Sequence, residues 1–358
     1  MSPNSSSDVT HLRSSSGNVQ VDIVHVGAGI QRLIVPDREG IEGDIVLGCD
    51  DVGMYKRGET PYFGVIVGRV ANRIAQGKFE LENVTYTLAQ NNGPNCLHGG
   101  EMGFGRATWK KVSIPEDDER HVTLELLSED GDDGFPSSVV VRVSYDLADD
   151  GSSLTVSMNG KNSGDVSTLL NLAGHSYFNL GGHDSGDCLN HELQLPHAEY
   201  FTPVDDTQIP TGEIVRVDTV ASMDFRESKK IGKDIETAPG GAGYDHNFVL
   251  HGFGETVAQH VHKGVAKEEP ELAAVLYDPS SGRGLRVLTT APGVQLYSGN
   301  FLDGTVLGKG GARYQKYGGI CLETQGFPDA INHKNFPSIV FGPGEEYRHV
   351  VKYEFFTR

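Results

Sequence analysis

VVVRVSYDL (Val139–Leu147), the turn cluster Asp149-Asp150-Gly151 and LTVSM (Leu154–Met158) decide the fold class. Both runs are short and rich in β-branched and aromatic residues, and a turn signal separates them. The texture recurs at Lys78–Leu88, Val122–Leu127, Glu192–Leu195, Leu285–Thr289 and His349–Phe356. Near the start, Val19, Val21 and Ile23 alternate with Gln20, Asp22 and Val24, and Asn91-Asn92-Gly93-Pro94 marks another turn. Only Arg226–Ile235 has the spacing of a short amphipathic helix. The pattern predicts an all-β chain, an antiparallel β-sandwich or barrel and not a βαβ layout.

The chain has 358 residues, and its 46 glycines are scattered rather than periodic, which suits many turns and bulges. Residues 1–18, rich in Ser and Asn, read as a disordered lead-in, and 19–358 as one β-sandwich domain without internal repeat. Glu116–Glu119 and Glu129–Asp133 read as solvated hairpin tips, and Gly252–Glu271 as an exposed loop insertion. Thirty Lys+Arg against 49 Asp+Glu give a net charge of −19. That field repels nucleic acid and anionic membrane, does not steer a phosphorylated substrate, and favours a neutral ligand. Cys49, Cys96, Cys188 and Cys321 are far apart, as expected of reduced thiols in a cytoplasmic protein. No apolar run approaches the roughly 20 residues of a membrane span, and the lead-in lacks the apolar core of a secretory signal.

Three motifs lead nowhere. Gly27-Ala28-Gly29 follows a strand, but Arg32 stands where a dinucleotide fingerprint needs Gly or Ala. Gly304–Lys309 is one residue short of a P-loop. His260-Val261-His262 offers two metal ligands with no obvious third beside them.

Chemistry is concentrated in polar groups set within apolar runs. In NLAGHSYFNL (Asn171–Leu180), His175 stands between Gly174 and the aromatics Tyr177 and Phe178, a setting for proton transfer or for a satisfied strand-end histidine. Arg69-Val70-Ala71-Asn72-Arg73 follows the apolar Val65–Gly68 and reads as a hydrogen-bonding surface or a salt-bridged strand end. His98 precedes Gly99-Gly100, where backbone could approach a ligand closely. Tyr244-Asp245-His246-Asn247-Phe248 sets polar groups between flat rings, as sugar recognition requires, and Gln295 beside Tyr297 repeats the theme. Glu323, in the glycine-bounded run Gly318–Gly326, becomes a useful base if buried without a cation; pairing to an arginine is the alternative.

Taken in order, GRVANRI (68–74), NCLHGG (95–100), GHSYFNL (174–180), YDHNF (244–248), GVQLYSGNF (293–301) and CLETQGFPDAINHKNFPS (321–338) resemble the aldose 1-epimerase (galactose mutarotase) family from about Val21 to Phe356. The resemblance implies one large antiparallel β-sandwich with an open cleft that interconverts the anomers of free aldohexoses, with no cofactor and no metal. It implies His175 as general acid and Glu323 as general base, with Arg73, His98 and Asp245 as substrate-binding residues and Asn72 and Gln295 as further hydroxyl contacts. The expected partner is a small sugar, bound by a monomer or weak homodimer. Other enzyme and binding readings on this fold are a hexose-6-phosphate mutarotase and a non-catalytic sugar-binding module.

Overall fold

The computed structural model of the protein describes residues 8–113, 118–250 and 269–358. Val139–Leu147 and Ser153–Asn162 pair antiparallel from Val139↔Asn162 to Leu147↔Leu154. Val139, Val141, Val143, Tyr145 and Leu147 are buried while the residues between them are not, the period of two that puts alternate side chains on one face. These strands belong to a nine-stranded antiparallel sheet. Its order is Lys110–Lys111, His121–Ser128, Val139–Leu147, Ser153–Asn162, Glu346–Thr357, Arg283–Thr289, Glu271–Tyr277, Glu192–Gln194 and Lys229–Lys230.

A six-stranded sheet lies against it, ordered Tyr177–Phe178, Ile320–Gln325, Gly293–Tyr297, Asp245–Val249, Tyr200–Thr202 and Val215–Arg216. Phe248, Val294, Leu296, Ile320 and Leu322 of this sheet share one apolar core with Val141, Val143, Tyr145, Leu285, Val287 and Val351 of the larger one. Each such side chain contributes about 1.5–3 kcal/mol on burial. The fold is thus the expected antiparallel β-sandwich. Alternation then sends Asp245, Asn247, Gln295, Tyr297, Cys321 and Glu323 to the opposite face, which builds the site.

A four-stranded sheet of Val9–Arg13, Gln20–Val24, Gly29–Pro36 and Glu42–Asp44 corrects the lead-in. Val9–Arg13 pairs with Gln20–Val24 and Leu12 is fully buried, so order begins well before residue 18; the serines that flank this strand conceal it. Residues 1–7 lie outside the described part. Arg226–Ile235 is not an α-helix: Lys229–Lys230 pairs with Glu192–Leu193, and a 3-10 turn follows at Ile231–Lys233. Ile231 and Ile235, both buried, imitate helical spacing. Val52–Arg57 is a helix instead, capped by Asp51, which accepts from the Gly53 N–H, and ended by Gly58 at φ 68°. Lys78–Leu88 divides into a hairpin that turns at Glu82-Asn83. Glu129–Asp133 is the expected turn between long strands. Most of the Gly252–Glu271 segment, with His260 and His262, and two residues of Glu116–Glu119 lie outside the described part; Glu271 already starts a strand.

Gly27 explains one false motif. A Cβ there would come within 2.5 Å of the Gly105 carbonyl oxygen, so this glycine serves backbone packing. Two buried cations brace the scaffold. Arg69, 1% exposed, donates to the Pro136, Ser137 and Glu129 carbonyls and to Ser128 and Thr168 hydroxyls, which removes it from the candidate binding surface. Lys309 Nζ donates to Asp44 at 2.6 Å and to the Gln31 and Val46 carbonyls. Because breaking a buried pair strands the other charge, Lys309→Ala should lower unfolding free energy by about 3–5 kcal/mol in urea titrations; a change below 1 kcal/mol would refute the bracing role.

Candidate active site

His175 is placed by two strand pairings in succession. Ala173 and Gly174 pair with Val67 and Ile66, the His175 N–H continues to the Val65 carbonyl at 2.9 Å, and Tyr177 and Phe178 then pair with Cys321 and Ile320. The chain thus passes from one sheet to another at His175 and aims its ring at the Glu323 strand. Gly174 is not there to make room, since a Cβ would meet nothing nearer than 3.7 Å.

His175 Nε2 lies 3.5 Å from Glu323 Oε2, with the two residues 5% and 2% exposed. Burial lowers the His175 pKa to about 4. Burial, with Asp245 adding repulsion and Arg73 opposing it, pushes the Glu323 carboxyl well above the usual carboxylate range. Both shifts disfavour charge, so the pair retains one proton between an oxygen and a nitrogen over a wide pH range. Cys321 Sγ stands 3.7 Å from His175 Nδ1, and a thiol can face either form of the ring.

A cleft of about 310 Å³ opens over the pair, lined by Asn72, Arg73, His98, His175, Asp245 and Glu323 together with Pro61, Tyr62, Asn92, Leu97, Tyr177, Tyr297 and Phe301. Arg73 Nε donates to Asn92 Oδ1 at 3.0 Å, and its Nη1 is 3.9 Å from Asp245 Oδ2. Gln295 is one layer back from the cleft wall: its Nε2 donates to Asp245 Oδ1 at 2.6 Å, and its Oε1 is left without a partner. Tyr62, Asn72 and His98 have φ of 63°, 60° and 52°, left-handed backbone that costs side chains of this size energy and clusters where function demands it. Gly99 takes a different part from the one expected, since its Cβ position is 2.0 Å from the Gly68 oxygen; the close approach is to the protein's own backbone.

His98, His175 and Glu323 bring three potential metal ligands within 4.8 Å of one another. One hydrogen bond argues against a metal centre. The Asn72 N–H donates to His98 Nδ1 at 3.2 Å, so the neutral ring keeps its hydrogen on Nε2 and offers no second lone pair. His98 is instead a donor, and burial with nearby His175 and Arg73 lowers its pKa well below 6.5.

Six of the seven sequence candidates therefore line one cleft, with Gln295 behind Asp245. Sequence reading missed Pro61, Tyr62, Asn92 and Phe301. Asn92 had read only as a turn residue, and Phe301 ends a quoted motif without being singled out. Pro61-Tyr62 sits in a loop with no periodicity to flag it.

A β-sandwich whose cleft sets a buried carboxyl and imidazole side by side among hydrogen-bonding side chains and ring faces has the make-up of a carbohydrate-active protein. Residues 10–354 match the family described as Aldose 1-epimerase. Galactose mutarotase of Bos taurus is 43% identical over 347 residues, covering 97% of this chain and 94% of the relative. Aldose 1-epimerase of Escherichia coli is 35% identical, covering 96% and 94%. The crystal structure of a GalM/aldose epimerase homologue from C. elegans superposes with a TM-score of 0.85 at 28% identity and 98% coverage of both chains. The chain belongs to the aldose 1-epimerase family. For its cleft, ¹⁵N NMR should find His98 neutral and hydrogenated at Nε2 from pH 6 to 8; an Nδ1–H form, or titration near 6.5, would refute the donor assignment.

Proposed function

We propose that the protein interconverts the α- and β-anomers of free aldohexoses such as galactose and glucose, with Glu323 as general base and His175 as general acid. The observation that carries the reading is the 3.5 Å approach of these two groups inside a cleft walled by Arg73, His98, Asp245 and Asn72. The anomeric hydroxyl and the ring oxygen hang on one carbon, so a base for the first and an acid for the second must be neighbours. Glu323 takes the hydroxyl proton while His175 gives one to the ring oxygen, and the C1–O5 bond breaks to leave the open-chain aldehyde. Rotation about C1–C2 presents the other carbonyl face. On reclosure His175 recovers its proton from O5 and Glu323 returns its own to O1.

Burial assists the opening step. The neutral pair reacts through its charge-separated form: passing the shared proton to His175 gives carboxylate and imidazolium beside the closed ring, and ring opening returns carboxylic acid and imidazole. A dry cleft penalises the first state, so opening relieves two desolvated charges as they neutralise. Arg73, His98 and Asp245 hold the sugar hydroxyls; Gln295 orients Asp245, and its unpartnered Oε1 remains an acceptor. Tyr62 and Tyr177 present ring faces beside His175.

A hexose 6-phosphate is disfavoured, because Arg73 shares the cleft wall with the acids Asp245 and Glu323. A purely binding module has no use for a buried acid–base pair. Every group invoked comes from one chain, which fits a monomer or weak homodimer, and the four unpaired, buried cysteines fit a cytoplasmic setting. Among the described residues no helix is long and apolar enough to cross a membrane.

His175→Asn and Glu323→Gln should each reduce catalysed mutarotation of α-galactose by about 10²–10⁴-fold in polarimetry, with the circular dichroism spectrum unchanged. Near-wild-type rates in either variant would overturn the assignment. The pH profile should be a plateau. Activity is lost as pH falls through about 4, where His175 accepts a second proton for the pair. It is lost again as pH rises through the elevated Glu323 value, where the pair loses its only proton. A rate that climbs monotonically from pH 4 to 10 would contradict the shared-proton pair.

A further inference from the structure

Leu172 lies three residues before His175, Thr324 is the neighbour of Glu323, and both meet one buried imidazole on the side away from the cleft. His349 is 2% exposed. Its Nδ1 is 3.2 Å from the Leu172 carbonyl oxygen, and its Nε2 is 3.0 Å from Thr324 Oγ1 and 3.1 Å from Thr289 Oγ1. A carbonyl only accepts, so Nδ1 carries the hydrogen and donates to Leu172. Nε2 is then an acceptor. The Thr289 hydroxyl donates to the Val350 carbonyl at 3.2 Å, which leaves the Thr324 hydroxyl to donate to the ring. Tyr347, two residues earlier on the same strand, completes the arrangement. Its hydroxyl accepts from the Leu172 N–H at 3.1 Å, donates to the Leu172 oxygen at 3.2 Å, and stands 3.2 Å from His349 Nδ1, where its oxygen shares the ring hydrogen with the carbonyl.

Both backbone groups of Leu172 and the side chain of Thr324 are therefore held by Tyr347 and His349, from the strand Glu346–Thr357. Because alternate residues of a strand point to opposite faces, a side chain fixed at Thr324 on the core face fixes the backbone from which Glu323 projects into the cleft. We infer that His349 is a positioning residue for the acid–base pair, a core imidazole that sets the spacing between the segment bearing His175 and the strand bearing Glu323. The inference rests on the roles proposed for those two residues. Proton transfer depends steeply on alignment, and a displacement on the order of 1 Å can cost about 10²-fold in rate. Polar pairing suits this task better than apolar packing, because hydrogen bonds fix both distance and direction where a methyl contact fixes neither.

The test uses His349→Leu, the near-isosteric Thr324→Val and the double variant, measured by polarimetry with α-galactose and by thermal melting. Each single change should lower kcat about tenfold or more while KM stays within about twofold, since neither residue touches the sugar. The double variant should be no slower than the worse single one, because both break the same link. Unchanged kcat with only a lower Tm would overturn the positioning role, and so would losses that multiply in the double variant. The two readings fail separately. A wild-type protein without mutarotation would sink the proposed function, whereas an active wild type with fully active variants would sink only the role of His349.

Discussion

Removing a carboxyl and an imidazole from water together, 3.5 Å apart, is the constraint on which the site depends. Either group alone at such burial would simply be neutral and inert. Side by side they form a unit that tolerates one proton and resists both gaining a second and losing the first, and whose charge separation is costly but local. A reaction that moves one proton on to a sugar oxygen as it takes another away leaves the net charge of that unit unchanged. This is chemistry that a low-dielectric cleft can support without recruiting counterions.

The rest of the molecule can be understood as what it takes to keep those two groups dry and adjacent. Leu322 and Thr324 anchor one strand in the sandwich core while Cys321 and Glu323 face the other way, an outcome of β-strand pleat alone. Arg69 is held by carbonyl and hydroxyl oxygens and Lys309 by carbonyls and Asp44 elsewhere in the scaffold, so two buried cations are kept away from the cleft, where they would stabilise the Glu323 carboxylate and weaken the proposed base. Arg73 does reach the cleft, and there Asp245 stands opposite it.

Much of this was legible in the residues because alternation is a strong signal over long strands. Val139–Leu147 declares its buried and exposed faces directly, whereas Ile320–Gln325 is buried on both faces. What the chain conceals is short or non-local. The Val9–Arg13 strand hides among serines because only Leu12 of its five residues is buried. The buried isoleucines at 231 and 235 mimic a helix because a 3-10 turn can reproduce a spacing of four. Arg69 and Arg73 look equivalent in sequence, and only tertiary placement makes one a brace and the other a cleft residue. The meeting of His175 with Glu323 is invisible across the 323 − 175 = 148 positions that separate them, and was supplied by the family resemblance and not by the residues themselves. Tyr62 and Phe301 belong to loops, where no period exists to read.

The position of the strand Glu346–Thr357 has a consequence for how the protein comes into being. It lies in the interior of the nine-stranded sheet, between Ser153–Asn162 and Arg283–Thr289. The two halves of that sheet therefore have no direct hydrogen-bonded seam until residues 346–357 have been synthesised. During translation the earlier strands wait with open edges, and the non-local pairings that close the structure belong to the slow class of folding events. A ribosome that pauses late in this message leaves a chain with nearly all its side chains and no finished sheet, its bare edges open to pairing with other chains.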